Sequence, residues 1–214
     1  LIVLFFGLTV FPIADIFIYL LGKNKNFQGK VLVGSTYISI LLILILFLLE
    51  LVIGSLNARR AYVGEIQISN PEKYLKEKLN IVLVSDIHLG DMIGNKRVKR
   101  LVDEINSLEP DLVVMAGDIV DTEIEPFMNY NMASEFSNIK SKYGTYATLG
   151  NHAIKLGKGD IIAEELRKNN VTVLRDEAIL INDDFYIIGR DDKAINKLGT
   201  NRKELKEIVS GLDN

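Results

Sequence analysis

Ile81-Val82-Leu83-Val84-Ser85-Asp86-Ile87-His88-Leu89-Gly90 is the stretch whose reading decides the fold. Four consecutive apolar residues, mostly β-branched, predict a strand buried on both faces. The run stops abruptly at Asp86-x-His88, two metal-competent side chains one residue apart. The same grammar recurs at Asp111-Leu112-Val113-Val114-Met115-Ala116-Gly117-Asp118 and at Tyr143-Gly144-Thr145-Tyr146-Ala147-Thr148-Leu149-Gly150-Asn151-His152. Each of these strands delivers polar groups at its C-terminal end, where open α/β sheets place their ligands.

Working outward, Val98, Leu101, Val102, Ile105 and Leu108 fall at helical spacing, with Lys96, Arg97, Lys99 and Arg100 on the opposite, wet face. Pro110-Asp111 stops that helix and opens the next strand, so the order strand, helix, strand predicts a right-handed βαβ unit with a parallel pair. Residues 122–142 hold a weaker helical pattern built on Phe127, Met132, Phe136 and Ile139. Further on, Asp160 is the expected N-cap of a helix running to Lys168, and Thr200 that of a final helix with Leu205, Ile208, Val209 and Leu212. Short strands are expected at Val171–Leu174, Ala178–Ile181 and Phe185–Ile188. The four basic residues near Val98 read as a solvated face rather than a phosphate site.

The 214 residues leave room for one sizeable domain and something more. Mean hydropathy is +0.19 although a quarter of the residues are charged, so the apolar residues must be unevenly spread. They gather at the N-terminus. Residues 1–21 are apolar apart from Pro12 and Asp15, and 31–53 carry no charge before Glu50. At about 1.5 Å per residue the second run reaches roughly 35 Å, enough for a hydrocarbon core of about 30 Å. Two transmembrane helices are therefore expected, about 1–21 and 31–53, which makes the lipid bilayer a partner and the chain an integral membrane protein. Lys23, Lys25 and Lys30 between them outnumber Arg59 and Arg60 beyond, which favours a cytoplasmic loop and an extracytoplasmic remainder. Tyr62–Ser69 alternates weakly, as a short edge strand would, before Asn70-Pro71 breaks it.

A net charge of −3 gives no nucleic-acid footprint. Zero cysteines exclude disulfides, thiolate metal sites and a cysteine nucleophile. Carboxylate from Asp86 and Asp118, imidazole from His88 and an amide oxygen from Asn151 make a mixed oxygen and nitrogen donor set, suited to Mn, Fe, Zn or Mg. Two divalent metal ions about 3.5–4 Å apart need a bridging ligand, which the Asp118 carboxylate could be. Such a centre activates water and neutralises phosphoryl charge during in-line attack, and His152 would meet the substrate beside it. Only two histidines occur in the chain, and both fall inside these motifs.

Asp86-x-His88, Gly117-Asp118-x-x-Asp121 and Gly150-Asn151-His152, in this order, resemble the first three motifs of the calcineurin-like metallophosphoesterase family. The likeness spans roughly 78–192 and is strongest to membrane-anchored prokaryotic members, including Gly189-Arg190-Asp191-Asp192. It implies an α/β chain: N-terminal transmembrane helices followed by the first half of an α/β/β/α sandwich. It implies that Asp86 and His88 bind one metal, Asp118 bridges, Asn151 binds the second and His152 is catalytic. Asp121 is left between orienting a ligand and occupying a surface turn. Arg190, Asp191 and Asp192 read as a strand-end turn near the site. Ala153 stands where many members carry an acid, which weakens expected support for His152.

Family members also carry a later histidine and a Gly-His-x-His motif, and no histidine follows His152 here. The expectation is a chain cut before the second half of the sheet, against the alternative of a degenerate member. The resulting division is 1–57 transmembrane, 58–80 linker and edge strand, and 81–214 the N-terminal part of the phosphoesterase domain. The function expected is hydrolysis of a phosphate ester or pyrophosphate, the substrate being a phosphorylated small molecule or lipid-linked compound. The rivals are a non-catalytic membrane scaffold of the same fold and a haloacid dehalogenase-type phosphatase. The latter needs an Asp-x-Asp nucleophile where this chain has Asp86-Ile87-His88.

Overall fold

The computed structural model describes residues 13, 16, 25–58, 62–68 and 78–212, and the chain divides into two compact units, Leu1–Ile66 and Gln67–Asn214. In the first unit, α1 (Lys25–Asn57) is one continuous helix of 33 residues. Its segment Ile40–Asn57 has mean hydropathy 2.6 and none of it is buried within the protein, so it is long and apolar enough to cross a membrane. The first expected span, 1–21, lies outside the described residues save Ile13 and Ile16, which are helical. The edge strand expected at 62–69 does not form within 62–68. The alternation is weak and interrupted by Gly64, which disfavours a regular strand.

The second unit is mixed α/β. Its elements run β1 (Ile81–Val84), α2 (Asn95–Ser107), β2 (Leu112–Ala116), α3 (Glu125–Asn129), a 3-10 helix (Met132–Asn138), β3 (Thr145–Thr148), α4 (Gly150–Lys155), α5 (Gly159–Lys168) and β4 (Val171–Val173). After these come β5 (Glu177–Ile181), β6 (Phe185–Gly189), a second 3-10 helix (Lys193–Leu198) and α6 (Leu205–Val209). The strands β1-β2-β3-β4 form a parallel sheet in that order, and β5-β6 form an antiparallel hairpin. Parallel pairing follows from the helical crossovers, since each strand must be re-entered from the same end.

The helices bury their apolar stripes in one core: Val98 and Val102 of α2, Phe127 of α3, Met132 and Phe136 of the 3-10 helix, Ile162 and Leu166 of α5. A second core gathers Leu112, Tyr146, Leu174 and Ile181 with Phe185 and Ile187 of the hairpin. The Tyr143 and Phe185 rings meet edge to face at 5.8 Å. β1, expected to be buried on both faces, stands at the end of the sheet among the described residues, with Ile81 50% and Leu83 67% exposed. The hairpin core reaches β2 and β3 but not β1.

Two expected caps are replaced. Asp160 lies inside the first turn of α5 rather than before it, and its carboxylate is drawn to Arg175. The final helix is opened not by Thr200 but by Glu204, in a reciprocal capping box with Glu207.

Candidate metal centre

The C-terminal ends of β1, β2 and β3 converge because their loops are stitched by backbone hydrogen bonds. Asp86 N donates to Gly117 O at 3.2 Å, His88 N to Asp118 O at 3.0 Å, and Asp118 N to Leu149 O at 3.2 Å. Asp121 N then returns to Leu89 O at 3.0 Å. This stitching holds Asp86, His88 and Asp118 in the left-handed region, with φ of 54°, 51° and 47°. Non-glycine residues rarely adopt that conformation, and its clustering at one sheet end marks a functional site. Gly150, at φ +75°, allows the closest approach: a Cβ there would lie 2.2 Å from Asp118 N and 2.5 Å from Asp118 Oδ1. The third strand end therefore fits over the second only because the side chain is missing.

Within this cradle His88, Asp118 and His152 each offer a donor atom, all lying within 4.8 Å of one another. The two imidazoles meet edge to face at 4.8 Å between centroids. Asp118 is the hub: Oδ1 accepts from His152 N at 2.9 Å and Oδ2 from Asn151 Nδ2 at 2.8 Å. Asp121 stands behind both histidines, its Oδ1 3.4 Å from His88 Nδ1 and 3.5 Å from His152 Nδ1. The spacing left Asp121 between two roles, and the fold places it as the carboxylate shared by the two rings. Its signal was present in Gly117-Asp118-x-x-Asp121, but spacing alone could not show which way the side chain turns.

The other expected site residues are arranged differently. Asp86 is exposed, 3.8 Å from His88 Nε2, and accepts from Ser85 Oγ at 2.6 Å. Asn151 turns its amide nitrogen to Asp118, and its oxygen takes a hydrogen bond from Lys155 Nζ. Lys155, one helical turn further along α4, had no sign in the sequence beyond that i, i+4 spacing. His152, expected to serve the reaction, is grouped with His88 and Asp118 as a third potential donor. The Arg190–Asp192 turn contributes no donor to the cluster: Arg190 donates to Lys203 O at 2.6 Å, Asp191 binds Arg175 at 3.1 Å, and Asp192 caps the second 3-10 helix.

The fit to a metal can be tested on this geometry. One carboxylate and two imidazoles within mutual reach, with no sulfur, are the donors a borderline or hard divalent cation takes. The cradle suits one such ion. For a second ion next to Asn151, the Asn151 oxygen must be released by Lys155, and among the described residues no further imidazole is at hand.

A parallel sheet with carboxylate and imidazole groups at its strand ends defines an α/β protein with a candidate metal site. Residues 79–207 match the model of the calcineurin-like phosphoesterase family, and the chain belongs to that family. It is 26% identical over 171 residues, 80% of this chain and 44% of the relative, to an uncharacterized metallophosphoesterase of Campylobacter jejuni. It is 33% identical over 155 residues, 71% of this chain and 34% of the relative, to a transmembrane protein with metallophosphoesterase domain from Danio rerio. An uncharacterized metallophosphoesterase of Aquifex aeolicus is 33% identical over 122 residues, 57% of this chain and 46% of that protein. The chain thus spans less than half the length of these curated relatives. No solved structure matches it significantly.

Proposed function

We propose that this chain carries the first metal-holding half of a membrane-anchored phosphoesterase that hydrolyses phosphate ester or pyrophosphate bonds. The observation that carries the reading is the convergence of His88, Asp118 and His152, with Asp121 behind both rings. Family membership makes a hydrolase the expected class, and the apolar α1 supplies an anchor.

Divalent cations, when bound, supply Lewis-acid charge neutralisation and water activation for phosphoryl transfer. The chain's own residues do the rest. His88 and Asp118 would hold a first ion, and Asp118, with two further lone-pair directions, is the group that would reach a second. Asp86, on the exposed side of His88, and Asn151, through the oxygen that Lys155 now engages, would complete the donor set. Asp121 Oδ1 faces Nδ1 of each imidazole, which points to Nε2 of each ring as the working nitrogen. His152, at the mouth of α4, then donates to the phosphoryl or leaving-group oxygen.

The test is Asp118→Asn in the full-length protein, with metal content and Mn-stimulated hydrolysis of an aryl phosphate ester as readouts. Loss of both is expected. Undiminished hydrolysis would overturn the assignment.

One observation favours the rival, a non-catalytic scaffold of the same fold: the Lys155 ammonium stands where a second cation would need to bind Asn151. The two readings part on stoichiometry, because the full-length enzyme should purify with close to two equivalents of metal and the scaffold with none.

A further inference from the structure

α2 carries charges that its own fold does not use. The residues Asn95–Arg100 include Lys96, Arg97, Lys99 and Arg100 and no acid, and Lys96, Lys99 and Arg100 are exposed. Lys99 pairs with Asp103 at 3.1 Å, whereas Lys96 and Arg100 have no ion-pair partner among the described residues. No acid sits in the first turn, so these cations face the positive end of the helix dipole, a placement that costs helix stability. An anionic partner outside the domain would repay it.

Exposed apolar groups adjoin these bases. Met92, 85% exposed, tops the loop between Gly90 and Gly94. Tyr130, 61% exposed, is held beside the start of α2 because Asn95 Nδ2 donates to its carbonyl at 2.8 Å. Asp91 is the one acid in the loop and offsets a single base. The patch also borders the metal cluster: a Cβ on Gly90 would lie 3.5 Å from Cβ of Asp121, the residue that contacts both histidines.

Cations interleaved with a flexible apolar side chain and a tyrosine match a bilayer interface, where bases meet anionic headgroups and Met and Tyr enter the acyl boundary. A free soluble anion would use the charges but leave Met92 and Tyr130 unexplained. The bilayer is within reach, since 58–80 can extend to about 75 Å at the outside from the apolar α1. We propose that the Gly90–Gly94 loop, the basic start of α2 and Tyr130 form a docking surface for anionic lipid headgroups. Docking there sets the mouth of the metal site against the membrane, which makes a membrane-borne phosphorylated lipid the substrate class. The substrate clause rests on the phosphoesterase reading; the docking clause does not.

Residues 1–214 hold no cysteine, so in a background with any cysteine outside them replaced by serine, Met92→Cys gives a unique attachment point for an environment-sensitive fluorophore. The labelled full-length protein is reconstituted in phosphatidylcholine vesicles with or without phosphatidylglycerol. A blue shift is expected only with phosphatidylglycerol, with none from the same label at Glu164→Cys on α5. Adding Lys96→Gln and Arg100→Gln should shift the docked-to-undocked ratio about thirtyfold toward undocked. Equal emission in both vesicles, or a shift untouched by the double substitution, would overturn docking. In a second arm the double substitution alone should spare hydrolysis of a soluble aryl phosphate while slowing that of a phosphorylated lipid in the same vesicles. Equal slowing or equal sparing of the two esters would overturn the substrate class. If neither ester is hydrolysed even before substitution, the phosphoesterase reading falls, and the fluorescence still decides docking.

Discussion

Two charged clusters in the second unit look alike in composition and behave oppositely. At the sheet end, Asp86, His88, Asp118, Asp121 and His152 are half-buried or exposed. The backbone there is left-handed at Asp86, His88 and Asp118, and the Asp121 contacts to the rings are 3.4 and 3.5 Å, longer than a good hydrogen bond. Beneath the hairpin, Arg175 Nε binds both oxygens of Asp191 at 3.1 Å, and its guanidinium reaches Asp160. Asp176 accepts from Asp191 N at 3.1 Å and from Lys203 N at 2.9 Å. The hydrogen bond that Arg175 donates to Asp191 holds the Arg175 pKa above its ordinary value, more than burial opposes it. The second cluster satisfies itself, while the first keeps donor atoms of three residues within 4.8 Å of one another. Perturbed groups alone point to the second cluster, and convergent donor geometry points to the first.

Substitutions can break or sharpen that contrast. Gly150→Ala should have the largest effect, because its Cβ must displace Asp118. A stability loss of about 2–4 kcal/mol is expected, with loss of bound metal, read by thermal unfolding and metal analysis. Asp191→Ala leaves Arg175 partly buried without its main partner. It should cost about 3 kcal/mol in denaturant unfolding and leave metal content unchanged. If it strips the metal as Asp118→Asn should, the two clusters are one and the contrast fails. Asp121→Asn is expected to lower metal affinity or turnover by about tenfold to hundredfold with little change in unfolding midpoint. The smallest structural effect belongs to Lys155→Gln, under about 0.5 kcal/mol in stability for an exposed residue. Metal affinity should nonetheless rise about tenfold, since a cation is removed from Asn151. Weaker metal binding in that variant would show that Lys155 supports the site instead of competing for it.

Much of the sheet end was legible in the sequence. β1, β2 and β3 could be read because an apolar run that stops at polar, metal-competent side chains fits a buried strand leading into a site. α2 could be read because its buried Val98, Val102 and Ile105 keep helical spacing. The caps could not, since Asp160 found a stronger partner in Arg175, fifteen residues on, than the backbone of its own helix. Arg190, Asp191 and Asp192 read as a strand-end turn near the site, yet each is engaged by a neighbour that only folding supplies.

By itself the sequence determined the order of strands, the residues at their ends and the family, because hydrophobic period and ligand chemistry are local properties. Tertiary structure alone decided that Asp121 faces both histidines and that Lys155 engages Asn151. These are relations between side chains on separate elements, and their directions are fixed by packing and by left-handed turns that no spacing encodes.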